Sequence, residues 1–577
     1  MTAIFKVFIG IIALMFGTFI LTPILLAQEV LPEVKYTITN QLSDDTPSLI
    51  FTLQFPGSSD GRTRLEISAS WANQNEYYKG IRGLSCLTQG CRVEAGEGPG
   101  EVFLIHEAGE TLEVIYDLVK YWDAPVTSDV YYRPLLAPEY FHIIGEAAFV
   151  MPSHLRNVSF NLTLAFEGFP EDWAIVNSFG EGDTVTLRVE TIDKVQNSLY
   201  IGGDFTLHKM EIAGQPLFIA TRGAWAFDID EFRALAAATV LDGRSFWQDF
   251  DTPHFLISMI PIEGQCCSFG GTGLYRAFAL FVSKDVEKVE KFKWLLPHEL
   301  FHNWLGGIIR PVEPEEHMYW FTEGFTDYYA RLLSLRGGRM SLSDYAMSFN
   351  QVLQAYYFSP AKNFTREQVE ENFWTNQYAQ KLPYQQGDIL AHNWNARIKT
   401  TPPGRSLDDA MFDILEASRA DGLKMDQARV DQFLRRYITG GVFGDTAAGV
   451  TRGKTIYPDS SALGACFTVI DQEIFQFDLG FEYSKGNEEG APLMIESVKE
   501  GSPVHVAGLR AGDVAVGYSI AFGQADVPVK LVIEKDGVRT RLDFLPQVNG
   551  TFMPQFVLDD DMYARDPGRC LEWFQGG

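Results

Sequence analysis

The string His298-Glu299-Leu300-Phe301-His302 has the residue types of a metal-dependent hydrolytic centre. On a helix, positions i and i+4 share one face, so both imidazoles can point at a single ion. Glu299 then stands beside the pair, placed to take a proton from a water without ligating the metal. A catalytic zinc shell has three protein ligands and an open position. Glu323, in the run Trp320-Phe321-Thr322-Glu323-Gly324-Phe325, is the candidate third ligand. Asp327 follows it by four residues, where it can accept the free ring N–H of a ligand histidine and fix its tautomer. H-E-x-x-H alone arises by chance in long chains, with ordinary packed or surface histidines. The Glu and Asp at helical spacing downstream single out a Zn²⁺ site. The chemistry expected there is hydrolysis by a metal-activated water, with Glu299 moving the proton. Tyr384, read at a helix start in Leu382-Pro383-Tyr384-Gln385-Gln386-Gly387, is a candidate donor to the oxyanion.

These residues need elements to hold them. The chain of 577 residues should hold about three or four domains. Residues 28–215 alternate apolar and polar positions in short runs broken by Gly, Pro, Asn and Asp, which predicts an N-terminal β-sandwich-like domain. His106, His142, His154 and His208 are scattered through that part without ligand spacing, and read as structural. Residues 216–443 begin with strands around one helix and continue with 3.6-residue periodicity, which predicts a mixed α/β catalytic domain with a helical second half. A glycine-bearing strand from Phe269 precedes the motif. Its glycines have no phosphate-loop pattern and suit a strand that a peptide backbone approaches closely. Gly440, Gly441 and Gly444 open a stretch, 444–464, expected to be a linker. Short strands return in 465–550, with a hairpin turn at Glu534-Lys535-Asp536-Gly537, and 551–577 reads as a C-terminal tail. The fold class expected is thus multidomain α+β.

The composition, 46% hydrophobic and 21% charged, is that of a globular chain. A net charge of −28 argues against sequence-independent nucleic-acid binding, which needs a basic face. Lys6, an apolar run from Val7 to Leu26 and a small residue at Ala27 read as an export signal over 1–27. An uncleaved anchor is the alternative, and only that would give the protein a membrane partner. Gly10, Gly17 and Pro23 interrupt the run. Periplasmic or extracellular localisation follows. Six cysteines fit an oxidising compartment. Cys86 with Cys91, and Cys466 with Cys570, are the candidate disulfide pairs, while adjacent Cys266 and Cys267 read as free thiols or as serving separate roles.

The strings HELFHNW, WFTEGFTDYY, LPYQQG and SPVHVAGLRAGD stand in the order found in PDZ-containing glycyl aminopeptidases, and the chain resembles that family. These are gluzincin zinc peptidases related to aminopeptidase N, leukotriene hydrolase and thermolysin. The resemblance implies a thermolysin-like catalytic domain, a C-terminal PDZ-like domain and one Zn²⁺ per chain. It also implies Tyr384 as the transition-state tyrosine, although the family's P-Y-E-K-G here reads Pro383-Tyr384-Gln385-Gln386-Gly387. Peptide or protein substrates follow, with a C-terminal peptide as the ligand of a groove beside Leu479, Gly480 and Phe481.

One departure bears on specificity. The family carries G-G-x-E-H on its edge strand, and that Glu binds the substrate's α-amine. Here the strand reads Gly270-Gly271-Thr272-Gly273-Leu274-Tyr275-Arg276. With Leu274 in the place before that Glu, Tyr275 replaces the carboxylate and Arg276 the His, and both are poor partners for an ammonium. Glu263 is a substitute acid nearby in sequence. The leading reading is an aminopeptidase-like zinc peptidase with altered end recognition. A zinc endopeptidase with the same site is the rival, and a catalytically faded scaffold acting through its PDZ-like domain is a second.

Overall fold

The computed structural model describes residues 31–576, except 43–45, 73, 123–125, 128–131, 264–266, 402–403 and 486–490. The export segment expected at 1–27 lies outside the described residues. Among them, no helix is long and apolar enough to cross a membrane.

The N-terminal part is built from strands whose alternation sets their faces. In Ser48–Pro56, Leu49, Phe51, Leu53 and Phe55 are all fully buried, and the residues between them are not. Its antiparallel partner Thr111–Val119 turns Leu112, Val114, Tyr116 and Leu118 to the same side. These two strands lie in a six-stranded sheet. The core on its inner face takes Leu65 and Leu104 from a four-stranded sheet, and Phe141 and Ile143 from a five-stranded one.

That five-stranded sheet is covered on both faces. Along Tyr140–Ile144 every residue is buried, because Tyr140 and Ile144 pack instead with Phe218, Leu256, Ala279 and Phe281 of the next domain. His142 lies at this junction, 3.0 Å from Ser258 Oγ, and burial drops its pKa to about 3, so it is a neutral structural histidine.

The next sheet runs Thr206–Ile212, Gln215–Thr221, Phe255–Ile262, Ala277–Ser283, Phe269–Leu274 in spatial order. Its three middle strands are parallel and its two outer pairings antiparallel, which leaves the glycine strand Phe269–Leu274 at the edge. The expected boundary at 215/216 therefore falls too late. Thr206–Ile212 already belongs to this sheet, joined to the next strand by a tight turn.

The helical half holds three helices that matter for the site. The motif helix is Phe292–Phe301, the ligand helix Tyr319–Arg336 and the tyrosine helix Gln377–Lys399. The last begins at an Asn376 cap, which accepts from the N–H groups of Tyr378 and Ala379. Tyr384 consequently sits inside the helix, not at its start as expected. The ligand and tyrosine helices touch backbone to backbone at two glycines. A Cβ on Gly387 would stand 1.7 Å from the Trp320 carbonyl oxygen, and one on Gly324 would stand 2.4 Å from Gly387 Cα.

Residues 444–464 are not a linker. Val450, Ile456, Ala462 and Leu463 are buried in the main core, and Ile456 N–H donates to Tyr356 Oη at 2.9 Å. Of the glycines that suggested a linker, Gly440 and Gly441 turn the chain at positive φ just before this segment and Gly444 lies in the short helix Phe443–Thr446. Nor does the small strand domain begin at 465 or end at 550. Strands Phe467–Phe477 and Gln547–Leu558 pair with each other, and Met553 and Phe556 lie in the catalytic core. Asn350 accepts from Phe556 N–H and donates to its carbonyl, as a neighbouring strand would. The compact unit at the end of this ribbon is a five-stranded antiparallel sheet, within Phe481–Phe544, with its own core.

The expected tail is likewise docked. Phe574 is buried with its ring 4.8 Å from Tyr345, and Cys570 is bonded to Cys466. Cys86 is bonded to Cys91. Cys267 is disulfide-bonded, which corrects the expectation of a free thiol there, and Cys266 lies outside the described residues.

The glycine contact yields a prediction. Gly387→Ala forces a methyl into the Trp320 carbonyl, and overpacking of this kind costs on the order of 1–3 kcal/mol. The expected outcome is a lowered thermal midpoint, measured beside a Gly404→Ala control. A Cβ on Gly404 would meet nothing within 4 Å, and its φ of +78° makes it a control for backbone strain alone.

Candidate metal centre and active site

Three helices and one strand build the site. The motif helix buries Phe292, Leu296 and Leu300 against the core, and the four-residue step from His298 to His302 puts both rings on another face. The chain then reverses through Gly306, at φ +113°, and Gly307 N–H donates back to the His302 carbonyl at 3.0 Å. The ligand helix brings Glu323 across.

His298 Nε2 and His302 Nε2 are 3.1 Å apart, and Glu323 Oε2 is 3.4 Å and 3.2 Å from them. Ligands about 2.0–2.1 Å from a tetrahedral ion lie roughly 3.3 Å from one another, so these donors outline one face of such a shell. The other ring nitrogens are occupied. His298 Nδ1 donates to Asp327 Oδ1 at 2.8 Å, and His302 Nδ1 to the Leu305 carbonyl at 3.0 Å. Both tautomers are thereby fixed with Nε2 aimed inward. The three residues form a cluster that could hold a metal. The geometry, the donor types and the tautomers fit zinc. Sequence reading offered Asp327 for one imidazole but not the Leu305 carbonyl, because a backbone acceptor leaves no residue-type signal.

The charges are strongly perturbed. Burial works against protonating His298, but its hydrogen bonds to Asp327 and Glu323 outweigh that and raise its pKa. For Glu323 burial is also the largest influence, yet His302 and the hydrogen bonds from both imidazoles hold its carboxyl far below the usual range. Glu299 goes the other way. Burial raises it, only partly offset by His298 and His302 and by the Gly273 N–H, which donates to Glu299 Oε2 at 2.9 Å. Tyr384 lies with its ring 6.1 Å from that of His298 and nearly parallel to it. Burial and the Glu323 and Asp327 carboxylates push its phenol well up, so it keeps its proton and can donate.

The site opens into a cleft of about 940 Å³. Gly271, Gly273, Tyr275 and Arg276 line it, but Gly270 does not. Gly273 is the strand residue against the motif helix, where a Cβ would meet the Glu299 carbonyl oxygen at 3.0 Å and His302 Cβ at 3.5 Å. Tyr275 comes after the strand ends. Its N–H donates to the Asn197 carbonyl at 2.6 Å, and its ring packs on Phe179 at 5.8 Å and under Lys194 at 5.1 Å. It faces the N-terminal domain. Glu263 is exposed and is not among the residues lining the cleft. The cleft also takes Trp71, Tyr132 and Glu146 from the N-terminal domain, Tyr319 from the start of the ligand helix, and Phe373 and Trp374 from beside it. Their distance along the chain left nothing in the sequence to join them.

Residues 291–390 match the family model described as M61 glycyl aminopeptidase. Among solved structures, an aminopeptidase N family protein from Idiomarina loihiensis is 15% identical with a TM-score of 0.68, over 94% of this chain and 100% of that one. An M1 zinc metallopeptidase from Deinococcus radiodurans is 13% identical with a TM-score of 0.49, over 74% and 94%. Yeast LTA4 hydrolase is 12% identical with a TM-score of 0.47, over 75% and 70%. Only the first of these likenesses is close enough to carry the fold. No curated protein matches the chain. Residues 291–390 are therefore similar to a peptidase family, and the chain has the fold of an aminopeptidase N family protein. The resemblance read from the motifs is thus carried by the family model over 291–390 and by the fold, and the donor cluster fits a metal there.

The ligand geometry is testable by metal content. Glu323→Gln keeps the shape but removes the anionic ligand, so the purified variant should retain far less zinc than wild type by elemental analysis. Glu299→Gln should retain it fully.

Proposed function

We propose that the chain hydrolyses peptide bonds as a zinc peptidase of gluzincin type. The convergence of His298, His302 and Glu323 beside a buried Glu299 is the observation that carries the reading. A zinc ion held by those three residues would polarise a water and the scissile carbonyl. Glu299, raised by burial and oriented by the Gly273 N–H, accepts the proton and passes it to the leaving amine. Tyr384 donates to the oxygen that becomes negative in the transition state. Asp327 holds His298 in register and balances charge as the site turns over.

The likeness to aminopeptidases does not extend to how the amino end is held. Read straight on from Gly270-Gly271, the family's G-G-x-E-H puts Gly273 at the glutamate and Leu274 at the histidine. The close packing of Gly273 on the motif helix supports that register over the one that places Tyr275 there. The edge strand then offers no carboxylate to an ammonium, and no side chain at 273 obstructs a chain passing the metal. This favours the endopeptidase reading of the same site.

The unit within Phe481–Phe544 is proposed to be PDZ-like. Phe481–Lys485 is an edge strand, to which an extended peptide can add, and Leu479-Gly480 turns into it with Gly480 at φ +71°. A C-terminal peptide is the ligand proposed there. Export to the periplasm or the cell exterior remains the proposed location.

Two measurements test the reading. Glu299→Gln should lower kcat by about 10²-fold or more with zinc retained, since general-base catalysis contributes about 10²–10⁴-fold. Unchanged activity would instead favour the faded-scaffold alternative. Peptides with a free or N-acetylated amino end, digested side by side, should be cleaved at comparable rates and at internal bonds. Release of first residues from the free peptide alone would show that other cleft acids hold the amine.

A further inference from the structure

Beneath the metal site lies a buried ion pair that the mechanism above does not use. On the ligand helix Glu323, Asp327 and Arg331 follow at four-residue steps, and on the tyrosine helix Tyr384, Asp388 and His392 do the same. Arg331 and Asp388 are fully buried and joined at 2.9 Å. Arg331 Nε also donates to Ser348 Oγ at 3.1 Å, and its guanidinium lies 5.1 Å from the ring of Trp294, one turn before His298 on the motif helix. Asp388 is held in turn by His392, 3.0 Å away, whose Nε2 is 3.0 Å from Tyr345 Oη. One guanidinium thus links the three helices that carry His298, Glu299, Glu323, Asp327 and Tyr384.

Stability does not account for this arrangement. A buried pair is commonly no better than apolar residues of the same volume, because two charges must be stripped of water. Arg331 moreover has its Nη2 without a hydrogen-bond partner among the described residues. Buried pairs do specify register. The contact above this one needs such a device, since Gly324 against Gly387 is backbone on backbone, without side chains to interlock. Tyr384 stands one helical turn before Asp388, and the two helices bring it to Glu323 just as they bring Asp388 to Arg331.

We propose that Arg331 and Asp388 are positioning residues for Tyr384, fixing the rotation and height of the tyrosine helix so that the phenol reaches the reacting carbonyl. The proposal rests on the zinc-peptidase reading and goes beyond it by naming what sets its tyrosine. The pair acts on the transition state and leaves metal retention and substrate binding largely alone.

The test uses the full chain with zinc bound. Arg331→Met combined with Asp388→Leu removes both charges without leaving one unpaired. Zinc content and thermal midpoint should stay close to wild type and KM within about twofold, while kcat falls at least tenfold, as a misplacement on the order of 1 Å can produce. Tyr384→Phe added to this double variant should cost little more, whereas Tyr384→Phe alone should cost kcat heavily. Arg331→Lys, which keeps a charge but loses the fork, should fold and lower kcat by a smaller factor. Wild-type kcat in either the double or the Lys variant, or losses that multiply with Tyr384→Phe, would overturn the proposal while leaving the zinc reading intact. Wild-type kcat in Tyr384→Phe would instead remove the tyrosine's role, and the proposal with it.

Discussion

The site depends on two helices being allowed to touch. Gly324 and Gly387 meet with no side chain between them, and Glu323 and Tyr384 lie one and three residues from that contact. A Cβ at either position would spread the helices and part the carboxylate from the phenol. The approach has a second effect, because it brings Arg331 within reach of Asp388 one layer down. The geometry of the reacting groups is therefore set by backbone packing first, and by their own hydrogen bonds second.

Layering of sheets supplies the other half of the cleft. The strand Tyr140–Ile144 has one face in the N-terminal core and the other against the catalytic sheet. A sheet buried on both sides resists slipping or rotating as a unit, since each face would lose its packing. Residues on the short helices beside it, Glu146 in Gly145–Ala147 and Lys194 in Ile192–Gln196, thus meet the metal site as a fixed wall.

His298 and His302 were legible as a candidate pair because they obey a local rule, the four-residue step of a helix, and Glu323 and Asp327 obey it with each other. Gly324 and Gly387 were visible inside their strings, but their meeting is a tertiary fact. The edge strand was legible as glycine-bearing, but not which of its residues faces the motif helix. Alternation along it does not say where it ends, and only the contact of Gly273 with Glu299 decides which residue faces the motif. Residues 444–464 were misjudged for a different reason. Their glycines and polar residues look like a connector, whereas the few apolar side chains among them do the packing. The docked end of the chain could not be read locally, since Cys466 and Cys570 are 104 residues apart.

The charge balance indicates what an ion held there would do beyond chemistry. Glu299, Glu323 and Asp327 surround two imidazoles whose fixed hydrogen bonds suit their neutral, metal-ligating form. Buried together, such carboxylates repel and lack water to screen them. Arg331, whose charge feels Asp327 as well as Asp388, offsets part of this from below. A divalent cation at the open face would offset the rest. Binding it would therefore favour the folded arrangement by mass action, and Glu323, the carboxylate that would hold the ion, is among those that most need it.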